Sequence, residues 1–264
     1  MIKYVFKCYD EYMKFMGIAK RNMPKICPVI FDSVNASDKQ KRAWAYINSD
    51  EIVENIVKLN ISSNLKNMPQ DFQRQILFHE FTHILDANIF FSKYRNNRIF
   101  QNVMSTFSEY HAAQIEVSRG VGLKSWKIER KEDLENLNLM HRDKKMRIEE
   151  RYLQSLADAL VVIDCSCDSY YELSAVEYFF KYSCFEVNTM NYLGIYHFCT
   201  RISNKKIPSL IDTVYTDFAP YIRQIETDIL EGEFEKLVIS RNNLWKYYKS
   251  HFSCKEQFIL PEKL

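Results

Sequence analysis

His79-Glu80-Phe81-Thr82-His83 is the stretch on which the reading of this chain turns. The run Pro69-Gln70-Asp71-Phe72-Gln73-Arg74-Gln75-Ile76-Leu77-Phe78 leads straight into it, and Ile84-Leu85 follow. Phe72, Ile76, Leu77, Phe81, Ile84 and Leu85 recur at helical spacing, so the segment is predicted to be a helix with an apolar side. Asn67 is the expected N-cap, with Pro69 in the first turn, where a proline is tolerated. Residues four apart on a helix lie one above the other on the same face. His79 and His83 therefore aim two imidazoles at one place and can share a cation. Glu80, next to the first of them, can hold a water bound to that ion.

Two histidines do not close a catalytic zinc site, which takes three protein ligands and keeps one position open for water. A metal-bound water ionises near pH 7, and a neighbouring carboxylate can take its proton. The motif is not continued as HExxHxxGxxH, because Ile84-Leu85-Asp86-Ala87-Asn88-Ile89 holds neither the glycine nor the third histidine. Cys27, in Lys25-Ile26-Cys27-Pro28, lacks the surroundings of a ligating cysteine. The stretch Ser105-Thr106-Phe107-Ser108-Glu109-Tyr110-His111-Ala112-Ala113-Gln114-Ile115-Glu116 offers a glutamate on a second helix, with Ser105 or Ser108 as its cap and Glu109 in an early turn. Glu109, Ala112, Ala113 and Glu116 share a face of that helix, and the two alanines allow another helix to approach closely. Glu109 is the expected third ligand and Glu116 the fallback.

HEFTH followed by SEYHAAQIE resembles the gluzincin metallopeptidases, whose pattern is HExxH, a spacer and a glutamate on a second helix. The likeness is nearest to compact ImmA/IrrE-type metallopeptidases and related proteins of phages and mobile elements, with Glu109-Tyr110-His111-Ala112 matching their Glu-x-x-Ala. It covers about residues 30 to 120. The resemblance implies a Zn2+ ion held by His79, His83 and Glu109, Glu80 as general base, and a protein or peptide substrate. By analogy of role, it also implies a site-specific regulatory protease with a regulatory protein partner. Thermolysin-like members place an aspartate four residues after the third ligand to orient the first histidine; here Ala113 stands there. Another group must orient His79, and Asp86, on the His83 face, is the candidate.

A chain of 264 residues can bury a full core, and a formal charge of +2 leaves no electrostatic footprint for nucleic acid. The first ten residues lack a signal-peptide pattern, and no apolar run approaches the ~18–20 residues of a membrane span. The seven cysteines are odd in number and irregularly spaced, so reduced thiols and a cytoplasmic setting are expected, Cys165 and Cys167 included.

A helix is predicted near residues 8 to 20. Strands follow at Pro28–Phe31, Ala43–Ile47 and Ile56–Ile61, the last alternating Val57, Leu59 and Ile61 with Lys58 and Asn60. The fold class expected is α+β: a small, mostly antiparallel sheet, the HExxH helix, a backing helix closed by Gly120-Val121-Gly122, and a mainly helical C-terminal half. A zincin-like core over residues 1–123 and a helical subdomain over 124–264 are the expected domains. The strand preceding the HExxH helix is expected to offer an edge to which an extended peptide could add. Mixed charges such as Lys127–Asp133 and Arg142–Lys145 read as solvated helix faces. Tyr110, His111, His141, His197 and Tyr221 are candidates by type for stabilising a tetrahedral oxyanion. The competing function is a non-enzymatic interaction protein whose metal site is structural or vestigial.

Overall fold

A computed structural model describes residues 1–32, 45–53, 56–94, 98–126, 149–157, 175–202, 208–214 and 216–251. Helix α1 (Ile2–Met16) is followed by strands β1 (Lys25–Phe31), β2 (Ala45–Val53) and β3 (Ile56–Ser62), and then by helices α2 (Gln70–Tyr94) and α3 (Arg98–Gly120). Residues 149–157 are helical. Helices α4 (Ala175–Ile202), α5 (Ile211–Val214), α6 (Ala219–Glu231) and α7 (Phe234–His251) complete the described chain. Two compact units emerge: Met1–Lys93 with His111–Ile148, and Tyr94–Tyr110 with Glu149–Leu264. The α+β character and the helical C-terminal half agree with the sequence reading. Among the described residues, no helix is long and apolar enough to cross a membrane.

The sheet differs from expectation in two ways. Its order is β1-β3-β2, with β1 parallel and β2 antiparallel to β3, so it is mixed rather than mostly antiparallel. The strand preceding the HExxH helix, β3, is central and has both edges paired, so it cannot accept a peptide strand. Burial explains why it lies inside. Val57, Leu59 and Ile61 are buried as the alternation predicts, but Asn60 and Ser62 are buried too, as suits a strand covered on both faces.

Helix α2 owes its position in the first unit to aromatic packing against α1. Tyr9 lies 4.8 Å from Phe81, Tyr12 5.3 Å from Phe78 and 5.6 Å from Phe81, and Phe15 5.5 Å from Phe78, all between ring centroids. These rings meet in tilted and edge-on arrangements, which the aromatic quadrupole favours. The buried Tyr12 hydroxyl donates to Thr82 Oγ1 at 3.2 Å, and Thr82 donates to the Phe78 carbonyl at 2.8 Å, so neither polar group is stranded. The Arg119 guanidinium of α3 lies over Phe15 and Phe78, 5.6 and 5.1 Å from their centroids.

Several helix boundaries differ from the sequence-based expectation. Helix α1 begins at Ile2, ahead of the predicted residue 8. Asn67 closes the 3-10 turn Ser63–Asn67 instead of capping α2, and the Pro69 carbonyl takes the first helical N–H, from Gln73, at 3.0 Å. Helix α3 starts at Arg98, so Ser105 and Ser108 are interior residues and Glu109 lies mid-helix. The preceding run, Ile99 to Met104, contains no glycine or proline to stop it. Its C-terminal end is as expected: Gly122 has φ 81°, and the N–H groups of Gly122 and Leu123 return to the carbonyls of Arg119 and Ser118.

The second unit is built around rings and paired charges. Tyr182 lies 4.5 Å from Trp245 and 5.1 Å from Tyr248, and Phe185 lies 5.3 Å from Phe218. Glu186 accepts from Arg241 and, at 2.6 Å, from Thr106. Tyr110 meets His197 Nδ1 at 2.7 Å, His197 Nε2 meets Glu226 at 2.6 Å, and Arg223 donates to Glu226 at 2.5 Å and to Asp212. Burial raises the Glu226 pKa, but its bonds to His197 and Arg223 outweigh that effect and hold it below the usual carboxylate value. A depressed folded pKa stabilises the protein above the unfolded value, about 4.3, and that stability is lost as pH falls through the folded one. Glu226→Gln is therefore expected to cost about 1–2 kcal/mol at pH 7. In urea titrations the gap from wild type should shrink as pH is lowered below about 4.

Candidate metal centre

From Leu77 to Ala87, every residue of α2 is buried except His79 and His83, which are half-buried. Phe78, Phe81 and Thr82 are turned toward α1, leaving the two histidines on another side of the helix. Their rings sit one turn apart with centroids 4.7 Å apart and planes at 82°. Glu80 is buried, at 8% exposure.

Helix α3 runs antiparallel beside α2, as its contacts show. Gly120 lies against the Gln75 side chain, Glu116 Oε2 is 3.2 Å from His79 Nδ1, and Asp86 accepts from His111 Nδ1 at 3.0 Å. Residue numbers rise along one helix as they fall along the other. Ala112 and Ala113 are fully or almost fully buried. Stepping by one turn from Gln75/Gly120 to His79/Glu116, the same register sets Ala112 opposite His83. A small residue there leaves room for the imidazole.

His79, His83 and Glu109 form a group in which one ligand atom from each lies within 4.8 Å of the others. It is the only such group among the described residues. Ligands about 2.0–2.1 Å from one tetrahedral ion stand roughly 3.3 Å apart, so the three side chains must draw in by up to about 1.5 Å to close on it. Two imidazoles and a carboxylate are a donor set suited to zinc, so the residues fit the ion that the sequence reading expects. Burial, reinforced by the neighbouring His79, lowers the His83 pKa to about 3 despite the opposing pull of Asp86. At neutral pH the ring is uncharged and has a lone pair to offer.

Several expectations for the surrounding groups change. Glu116, the fallback ligand, lies against Nδ1 of His79. Asp86, the candidate orienter of His79, instead holds His111. Burial disfavours the His111 cation, but the charge and hydrogen bond of Asp86 more than offset this, leaving the pKa raised. His197 and Tyr110 belong to the hydrogen-bonded chain of the second unit, and Tyr221 stacks on Tyr247 at 4.5 Å. Cys27 is exposed on β1. His141, Cys165, Cys167 and the charged runs 127–133 and 142–145 lie outside the described residues. The partnership of Glu116 with His79 was not anticipated, although the shared face of Glu109 and Glu116 was its visible signal.

No protein-family model, curated protein or solved structure matches the chain. Purified protein is expected to bind close to one zinc per chain, and His79→Ala or His83→Ala to lose it, as measured by metal analysis after dialysis. Equal zinc content in all three proteins would place the metal elsewhere.

Proposed function

We propose that the chain is a zinc-dependent metallopeptidase of the HExxH…E kind, related to the gluzincins and, among them, to ImmA/IrrE-type proteins. The observation that carries this reading is the convergence of His79, His83 and Glu109, three residues chosen by motif and spacing, into a metal-competent group. Their donor types, two imidazoles and a carboxylate, support a metal site.

His79, His83 and Glu109 are the residues that would hold the ion, beside a water. The ion, when bound, brings the pKa of that water toward about 7 and polarises the carbonyl under attack. The Glu80 carboxylate takes a proton from the water as its oxygen bonds to the carbonyl carbon. Glu80 then returns the proton to the amide nitrogen, which leaves as an amine when the C–N bond breaks. Glu80 is buried beside His79 on the same helix, which places its carboxylate next to the three grouped residues. The substrate class is a protein or peptide. A regulatory protein cut at one site in the cytoplasm, with a regulatory partner, is the role that the ImmA/IrrE likeness supports.

Glu80→Gln separates catalysis from metal binding. The variant should keep its zinc and thermal midpoint and lose at least about 100-fold in cleavage rate, the scale of a general base. Comparing protein fragments from cells expressing wild type or Glu80→Gln also identifies the substrate. Identical fragment patterns would favour a structural metal site on an interaction protein.

A further inference from the structure

We propose that Glu116 is the positioning residue for His79, fixing the tautomer and direction of the ring from behind the metal. An imidazole binds a metal through one nitrogen, and the partner of the other nitrogen decides which one carries the proton. Glu116 is buried, at 7% exposure, and its Oε2 lies 3.2 Å from His79 Nδ1. The approach is an ion-pair distance without the alignment of a full hydrogen bond. With the proton held on Nδ1, Nε2 keeps its lone pair for the ion.

The alternative, Glu116 as a ligand in its own right, is disfavoured by its place on α3. The carboxylate grouped with the two rings is Glu109, seven positions earlier, whereas Glu116 meets the first ring at Nδ1. A buried carboxylate is costly unless it is paired, so its position beside an imidazole calls for a purpose. The same groove repeats the arrangement in reverse, with Asp86 from α2 holding Nδ1 of His111 from α3. Each helix thus supplies one histidine and one carboxylate, and the register set by Gln75 and Gly120 brings Glu116 to His79.

The proposal rests on the reading of His79 as a metal ligand, and the test keeps the two apart. Full-length wild type, Glu116→Leu and Glu116→Gln are compared by zinc affinity in chelator competition. Nitrogen-15 NMR of the His79 ring in the metal-free proteins reports its tautomer, and circular dichroism reports folding. Wild type should show the Nδ1–H form. Glu116→Leu should lose that preference and bind zinc about 10–100-fold more weakly while remaining folded. Glu116→Gln, whose amide oxygen still accepts from Nδ1–H, should keep the tautomer and fall between the two in affinity; it also carries the test if Glu116→Leu does not fold. An unchanged His79 tautomer, or unchanged affinity in Glu116→Leu, overturns the proposal. Complete loss of zinc in both variants overturns it in favour of direct ligation. If wild type binds no zinc, the ligand reading fails, and the tautomer comparison still decides whether Glu116 orients the ring.

Discussion

The packing of Phe78, Phe81 and Thr82 against Tyr12 and Phe15 is the constraint on which the candidate centre depends. Two of these residues, Phe81 and Thr82, are the variable positions of the HExxH motif. Rings and a buried hydroxyl pair commit that side of α2 to α1. A helix places successive residues about 100° apart, so this commitment turns His79 and His83 roughly a third of a turn away, onto the side that α3 approaches. A truncation in the aromatic cluster would therefore loosen the rotational setting of the histidines as well as the core. Arg119, lying over Phe15 and Phe78, ties the end of α3 into the same cluster.

Around this apolar anchor, ionisable groups gather to a degree that stability alone does not reward. Glu80, Asp86 and Glu116 are buried, and His79, His83 and His111 are largely so. Desolvated charges are held in place only by partners, and well-packed apolar residues of similar size are often at least as stabilising. His83 and His111 are both perturbed here, and environments that tune proton affinity are a device functional sites use. Burial keeps His83 neutral, while Asp86 shifts His111 the opposite way, so neighbouring imidazoles differ in character because their surroundings differ.

What could be read from the sequence was what local periodicity encodes. His79, His83 and Glu109 stood out because spacing on a helix converts directly into direction, and β3 because Val57, Leu59 and Ile61 alternate. The central place of β3 was not legible, since strand order is a property of pairing between distant segments. The start of α3 was missed because Ser105 and Ser108 look like caps locally but lie inside a longer helix. Asp86, a candidate partner of His79, meets His111 for a related reason: its face of α2 follows from spacing, but the register against α3 does not. Once that register is seen, Glu116 meets His79 and Asp86 meets His111.

The proposed chemistry requires α2 and α3 to bring His79, His83 and Glu109 to one metal ion. A crystal structure of the zinc-loaded protein, with anomalous diffraction collected at the zinc edge, would locate that ion atom by atom. One strong peak is expected about 2.0–2.2 Å from a nitrogen of each histidine and from a Glu109 carboxylate oxygen, with Glu116 on the far side of the His79 ring. A peak coordinated by Glu116 in place of Glu109, or one away from both histidines, would contradict it.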